Sequence, residues 1–233
     1  MTKKDFLKEM DKHLGVYLSG FGFKIKQDGT IQKTSKDMIW LIQLTFANWG
    51  TVHVDNIFAF VKVKSLEKAC VEIYYPFLSD SVKKSRYQGQ VTLVGPTRNV
   101  KKDFFQIIQV NSFSAAFKEY FEKELLPFFN SYLDVQSINR KYDEMDVPYR
   151  EGVGYIGDYN QIEIYNGFST AFSIETLGRR ILLMKYSKDS RYEDYIKWLK
   201  DCIETEQLDS VWVKMYDRVL PELMSFQCPE IYQ

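Results

Sequence analysis

Met38-Ile39-Trp40-Leu41-Ile42-Gln43-Leu44-Thr45-Phe46 is the stretch whose reading decides the fold. Met38, Trp40, Ile42, Leu44 and Phe46 form one apolar face at a period of two, while Ile39 and Leu41 make the opposite face partly apolar. A strand apolar on both sides belongs in the interior of a sheet. Beyond Asn48-Trp49-Gly50, residues 52–63 supply a second long β-prone run. Upstream, Phe21, Phe23 and Ile25 alternate with Lys24 and Lys26 up to Asp28-Gly29, a pair suited to a two-residue type I′ turn, and the chain returns through Ile31. Before that, Phe6, Leu7, Met10, Leu14, Tyr17 and Leu18 recur at helical spacing until Gly20 and Gly22 stop them. The first 64 residues therefore read as one helix followed by an antiparallel meander.

Downstream the pattern turns helical. Residues 66–75 suit a short helix and 91–94 a strand, with a protruding polar loop or small insertion between them. Residues 104–110 fit neither period cleanly and are assigned to a strand. Ser112 is the expected N-cap of a helix carrying Phe113, Phe117, Tyr120, Phe121, Leu125, Phe128 and Tyr132 on one face. Pro127 should break it and start a second short helix. Residues 134–167 mix charges, Pro148 and glycines and read as a boundary or long connection. A helix over 168–186 comes next, then one opened by the capping box Ser190-Arg191-Tyr192-Glu193, then one over 209–226 that Pro221 should shorten or bend. The expected fold class is α+β: an N-terminal helix, an antiparallel meander packed against helices, and a helical C-terminal part. The expected division is an α+β domain over 1–133 and a mainly helical part over 134–233, packed together as one unit.

Composition favours packing over chemistry. There are 17 Phe, 16 Tyr and 4 Trp against two histidines and three cysteines, and 31 basic residues balance 31 acidic ones. A core can form without metal or disulfide, and no global field exists to hold a phosphate polymer or an anionic membrane. Apolar runs such as 38–42 and 181–184 are too short to span a bilayer, so a soluble cytoplasmic protein is expected. Cys70, Cys202 and Cys228 match neither a disulfide framework nor a zinc knuckle; Cys70 and Cys202 read as core thiols and Cys228 as an incidental surface thiol.

No motif for catalysis stands out. Gly152-Val153-Gly154-Tyr155-Ile156-Gly157 spells a dinucleotide fingerprint, with Glu175 downstream, yet residues 146–151 before it are not the buried strand that chemistry needs. His53 and Asp55 share a strand face, but two ligands do not hold a metal ion. The carboxylates at Glu119, Glu122, Glu124, Asp143, Glu144, Asp146, Glu193 and Asp194 are interleaved with lysines and arginines, as on a solvated helix face. No catalytic, cofactor-binding or metal-ligating residue is assigned, and no cofactor is expected. The one local charge asymmetry lies between Ser81 and Lys102, where Lys83, Lys84, Arg86, Arg98, Lys101 and Lys102 are all basic and Tyr87 is available for stacking.

Gly22-Phe23-Lys24-Ile25-Lys26 after the first helix, the strand from Trp40 to Phe46, Leu126-Pro127-Phe128-Phe129 and the Ser190-Arg191-Tyr192-Glu193 helix together resemble an uncharacterised bacterial family, a domain of unknown function. The resemblance covers residues 1–64 and 112–204. It implies an α+β fold and no established activity, and the occurrence of such families beside polymorphic toxins implies an immunity-like or antitoxin-like role.

The resulting expectation is a non-catalytic bacterial module that binds another protein through Trp49, Lys83, Lys84, Arg86, Tyr87, Tyr155 and Tyr159. Two other readings stay open: a small-molecule enzyme with converging carboxylates or tyrosines, and a nucleic-acid-binding module working through the basic residues of 83–102. No membrane partner is expected.

Overall fold

A computed structural model of the chain describes residues 2–48, 52–77, 91–100, 110–145, 174–205 and 210–232. The fold is α+β, and the chain divides into two compact units, one made of Met1–Lys64 and Val91–Leu133 and the other of Ser65–Gln90 and Asp134–Gln233. The second unit thus takes a segment from the middle of the first.

The first unit is a five-stranded antiparallel sheet in the order β1-β2-β3-β4-β5, formed by β1 (Lys24–Ile25), β2 (Ile31–Thr34), β3 (Met38–Asn48), β4 (Val52–Val63) and β5 (Leu93–Asn99). β3 is an interior strand, as its two apolar faces require. Met38, Trp40, Ile42 and Leu44 are buried opposite Val63, Val61, Ala59 and Ile57, whereas Ile39 and Leu41 on the other face are half-buried. The register slips by one residue between Thr45 and Phe46. There the Thr45 hydroxyl oxygen accepts from Asn56 N (3.1 Å) and Asn56 Nδ2 (3.2 Å), which satisfies an amide the irregularity displaces.

Helix α1 (Lys3–Ser19) lays Phe6, Leu7, Met10, Leu14 and Leu18 into the core at a period of three and four. Each fully buried aliphatic or aromatic side chain contributes about 1.5–3 kcal/mol of transfer free energy. Facing it, α3 (Val110–Tyr120) presents Phe113 and Phe117, with Phe6 and Phe113 edge to face at 5.5 Å. The helix begins at Val110, so Ser112 lies inside its first turn and is not the N-cap. Pro127 is accommodated rather than breaking the path. Residues Phe121–Leu125 widen into a π-turn, in which Leu126 N donates to Phe121 O, and Pro127 then falls in the first turn of α4 (Leu126–Ser131), where its missing N–H costs nothing. The extra residue shifts the phase of α4 against α3: Phe129 is buried, while Phe128 and Tyr132 of the expected stripe are only half-buried. Trp40 Nε1 donates to Tyr132 O at 2.8 Å, so the indole is buried with its polar atom satisfied.

The second unit contains α2 (Lys64–Tyr74, its first residue shared with the unit before), α5 (Val135–Met145), α6 (Ile174–Tyr186), α7 (Tyr192–Thr205) and α8 (Ser210–Ser225), which continues through Pro221. The expectation of an irregular connection from residue 134 is corrected by α5. Asp134 Oδ1 accepts from Ser137 N at 2.7 Å and caps it, and Val135, Ile138 and Tyr142 form its buried face. The capping box at Ser190 is likewise replaced. Asp189 accepts from the Arg191 amide at 2.9 Å, and Lys188 adopts the left-handed conformation (φ 54°) that lets Asp189 N close back onto Met184 O and end α6. Buried Glu67 of α2 accepts from Arg179 Nε of α6 through both carboxylate oxygens at 3.0 Å.

Candidate functional site

The start of α1 is closed by a capping box. Thr2 Oγ1 accepts from Asp5 N at 3.2 Å while Asp5 Oδ2 accepts from Thr2 N at 3.1 Å, and these Thr2 bonds hold the Asp5 carboxyl below the usual carboxylate range. The cap occupies the helix end, so attraction for anions here comes from side chains. Because Phe6, Leu7, Met10 and Leu14 define the inward face, helical geometry leaves Lys4, Lys8 and Asp11 on a stripe along its margin, with Lys3 one turn before Phe6 and Leu7.

The second wall is the β1–β2 connection. Asp28-Gly29 does not form the expected two-residue type I′ turn. Only Gly29 has positive φ (+94°), Asp28 Oδ1 accepts from Thr30 N at 2.9 Å, and Lys26 N donates to Thr30 O at 2.7 Å, giving a wider loop. The Asp28 side chain holds its own backbone out of the left-handed region the shorter turn would require. Gly29 lies against Leu7: a Cβ there would stand 3.1 Å from Leu7 Cδ2. The loop bearing Lys26 and Gln27 is thereby set beside the second turn of α1.

Between the walls lies a groove of about 730 Å³ lined by Lys3, Lys4, Leu7, Lys8, Asp11, Ile25, Lys26 and Gln27. The lining holds four lysines and one carboxylate, with Leu7 and Ile25 supplying its aliphatic part. Some other lysines are ion-paired, Lys12 with Glu9, Lys123 with Glu119 and Lys141 with Glu144, while Lys185 donates to backbone carbonyls. Among the described residues, none of the four groove lysines has a carboxylate within ion-pair distance. Lys3 Nζ instead sits 4.7 Å above the Phe46 ring, a cation–π contact that fixes its stem at the groove's edge.

Trp49, Lys83, Lys84, Arg86, Tyr87, Tyr155 and Tyr159 lie outside the described residues, as do the Gly152–Gly157 glycines and the stretch 104–109. Of the basic segment, Arg98 is described, on β5 with its guanidinium 5.3 Å over the Tyr120 ring. Asp55, paired in sequence with His53, accepts from Asn56 Nδ2 at 3.0 Å. Among the described residues no group of three or more His, Cys, Asp or Glu side chains is placed to hold a metal ion.

Cys70 is a buried thiol of α2. Cys228 is half-buried rather than a surface thiol, and burial pushes its pKa up, away from a reactive thiolate. Asp143 takes part in a cluster with Arg180 and Arg191, with Arg180 itself buried, so it is not simply a carboxylate on a solvated face. Glu122 Oε1 accepts from the Tyr17 hydroxyl at 2.8 Å, and burial together with this carboxylate raises the Tyr17 pKa.

The groove was missed because its lysines are scattered over 24 positions, and no window of sequence shows them as a run. The available signals were the i, i+4 pair Lys4 and Lys8 and the alternation of Lys24 and Lys26 about Ile25. Among the described residues no helix is long and apolar enough to cross a membrane. Comparison of the chain with protein-family models, with curated proteins and with solved structures finds no match.

Proposed function

We propose that the chain is a non-catalytic binding module that takes an acidic segment of a partner protein into the groove between α1 and the β1–β2 loop. One observation carries this reading: four lysines that have no carboxylate partner among the described residues line one groove together with Leu7 and Ile25. Ammonium groups attract a carboxylate-bearing surface and steer its approach, while Leu7 and Ile25 offer area for an apolar side chain. Among the described residues the lining holds aliphatic rather than aromatic side chains, with the Phe46 ring at the edge already covered by Lys3, which favours a protein segment over a single-stranded nucleic acid. The groove's volume lies in the range of pockets that enclose a few residues or a small ligand. In its sharpest form the module is a bacterial, cytoplasmic immunity-like or antitoxin-like protein, and the partner is the toxin it neutralises.

The test uses the full chain and a K4E/K8E/K26E variant. These side chains lie at the surface, so the thermal transition should hardly move. The wild type should bind a labelled glutamate- and leucine-rich peptide with an affinity that falls as salt rises, and the variant should lose that binding. A variant that binds the peptide as well as the wild type does, or a wild type that prefers an oligonucleotide of equal charge, would overturn the reading.

A further inference from the structure

The groove is not uniformly cationic, and its one carboxylate has a built position. Asp11 follows Lys4 and Lys8 along the same stripe of α1, seven residues beyond Lys4 and hence about 10 Å further along the helix axis. One turn beyond Asp11 stands Gly15. A Cβ at position 15 would lie 2.6 Å from Asp11 Oδ1 and 3.3 Å from its Cγ, so the carboxylate occupies space that any other residue at 15 would fill. Glycine in the interior of a helix costs about 1 kcal/mol against alanine. Here that cost goes with a carboxylate leaning toward the C-terminal end, away from the lysines of the first two turns. The neighbouring cation on the helix, Lys12, is engaged with Glu9 at 2.6 Å, and among the described residues Asp11 has no ion-pair partner.

Along α1 the groove therefore runs from Lys3 and Lys4 in the first turn, past Leu7 and Lys8 with Ile25 and Lys26 on the other wall, to its one carboxylate at Asp11. Resting on the binding role argued above, we propose that Asp11 is a specificity-determining residue and that the groove reads a polarised peptide segment. That segment carries an acid, an apolar anchor and a cation in order. An extended chain advances about 3.3 Å per residue, so the roughly 10 Å between Lys4 and Asp11 matches an acid and a cation three positions apart with the anchor between them. A uniform polyanion long enough to fill the groove sets one of its charges against Asp11 and is disfavoured. Gly15 acts as a positioning residue, through the space it leaves.

Two labelled peptides test this by fluorescence anisotropy on the full chain. Both carry a Glu, a Leu anchor and a residue three positions after the Glu; in one it is Lys, in the other Glu. The wild type should prefer the Lys peptide by roughly 2- to 5-fold, the range of an exposed charge pair. D11N should abolish that preference while still binding both peptides, and D11K should reverse it. G15A should fold at least as stably as the wild type yet weaken the preference. Equal binding of the two peptides by the wild type, unchanged in D11N, overturns the role of Asp11 while leaving the acidic-partner reading standing. Tighter binding of inorganic polyphosphate than of either peptide also overturns it. Binding of neither peptide, or binding that survives K4E/K8E/K26E, instead defeats the underlying reading of the groove.

Discussion

Asp189 shows how much a single residue does in the second unit. Its carboxylate accepts from Arg191 N and Nε at 2.9 Å each and from Asn139 Nδ2 at 2.6 Å, and its side chain is only 8% exposed. These bonds, those from Arg191 first, hold its carboxyl well below the usual carboxylate range. A depressed pKa gives stability that is complete above the unfolded value, near 4, and is lost as pH falls through the folded one. Asp189→Asn should therefore cost about 1–2 kcal/mol near neutrality, reduced from the full charge-assisted value because Arg191 is half-exposed. The gap between the two proteins should shrink as pH drops below 4. Urea titrations from pH 7 to pH 2.5 would check this, and a gap that stays constant with pH would show that the carboxylate's charge is not the stabilising element. The sequence hid this role, because Ser190 offered a better-known capping pattern one position later. What separates the two residues is reach: Asp189 meets Arg191 and also Asn139, 50 positions away, and sequence spacing carries no signal for the second contact.

Elements were legible where a periodic apolar face meets the core. β3, β4, α1 and the aromatic face of α3 follow directly from alternation or from three-four spacing, because burial imposes those periods on the sequence. α5 was not legible. Its three buried apolar residues are outnumbered by charged and polar ones, and the arginines and acids that look like a solvated face belong partly to the buried cluster around Arg180. Contacts between elements are invisible to period altogether, and Gly178 of α6 is an instance. In an isolated helix Gly→Ala stabilises by about 1 kcal/mol. Here a Cβ would stand 2.1 Å from the Tyr74 hydroxyl oxygen and 2.7 Å from Cε2, and Tyr74 of α2 is only 1% exposed, so the ring has no free space to move into. Overpacking costs about 1–3 kcal/mol and outweighs propensity. Gly178→Ala should lower the thermal midpoint, and pairing it with Tyr74→Leu should return part of the loss. A rise in midpoint for the single variant would mean that α2 and α6 can separate cheaply.

At the scale of the whole chain, the second unit is assembled from segments far apart in sequence, and Glu67 and Arg179, 112 positions apart, show what that entails. Glu67 is fully buried and Arg179 nearly so; burial opposes the Arg179 charge, and the acidic groups around it, Glu67 first, together outweigh that, so the guanidinium is held above its ordinary value. A buried pair gains little over an apolar pair of similar volume, because both ions lose their hydration. Removing one partner is different, since it leaves a charge without its counter-ion. Glu67→Ala should thus destabilise by about 3–5 kcal/mol, whereas Glu67→Leu combined with Arg179→Met should recover most of that loss. Hydrogen exchange gives the location as well as the size. If the pair ties α2 to α6, protection in Glu67→Ala should fall in α2, α5 and α6, while amides of β3 and β4, which belong to the other unit, should keep theirs. Loss of protection spread evenly over both units would mean that they unfold as one cooperative body. Recovery of stability in the double variant would then still separate the worth of the ion pair from the cost of orphaning a single charge.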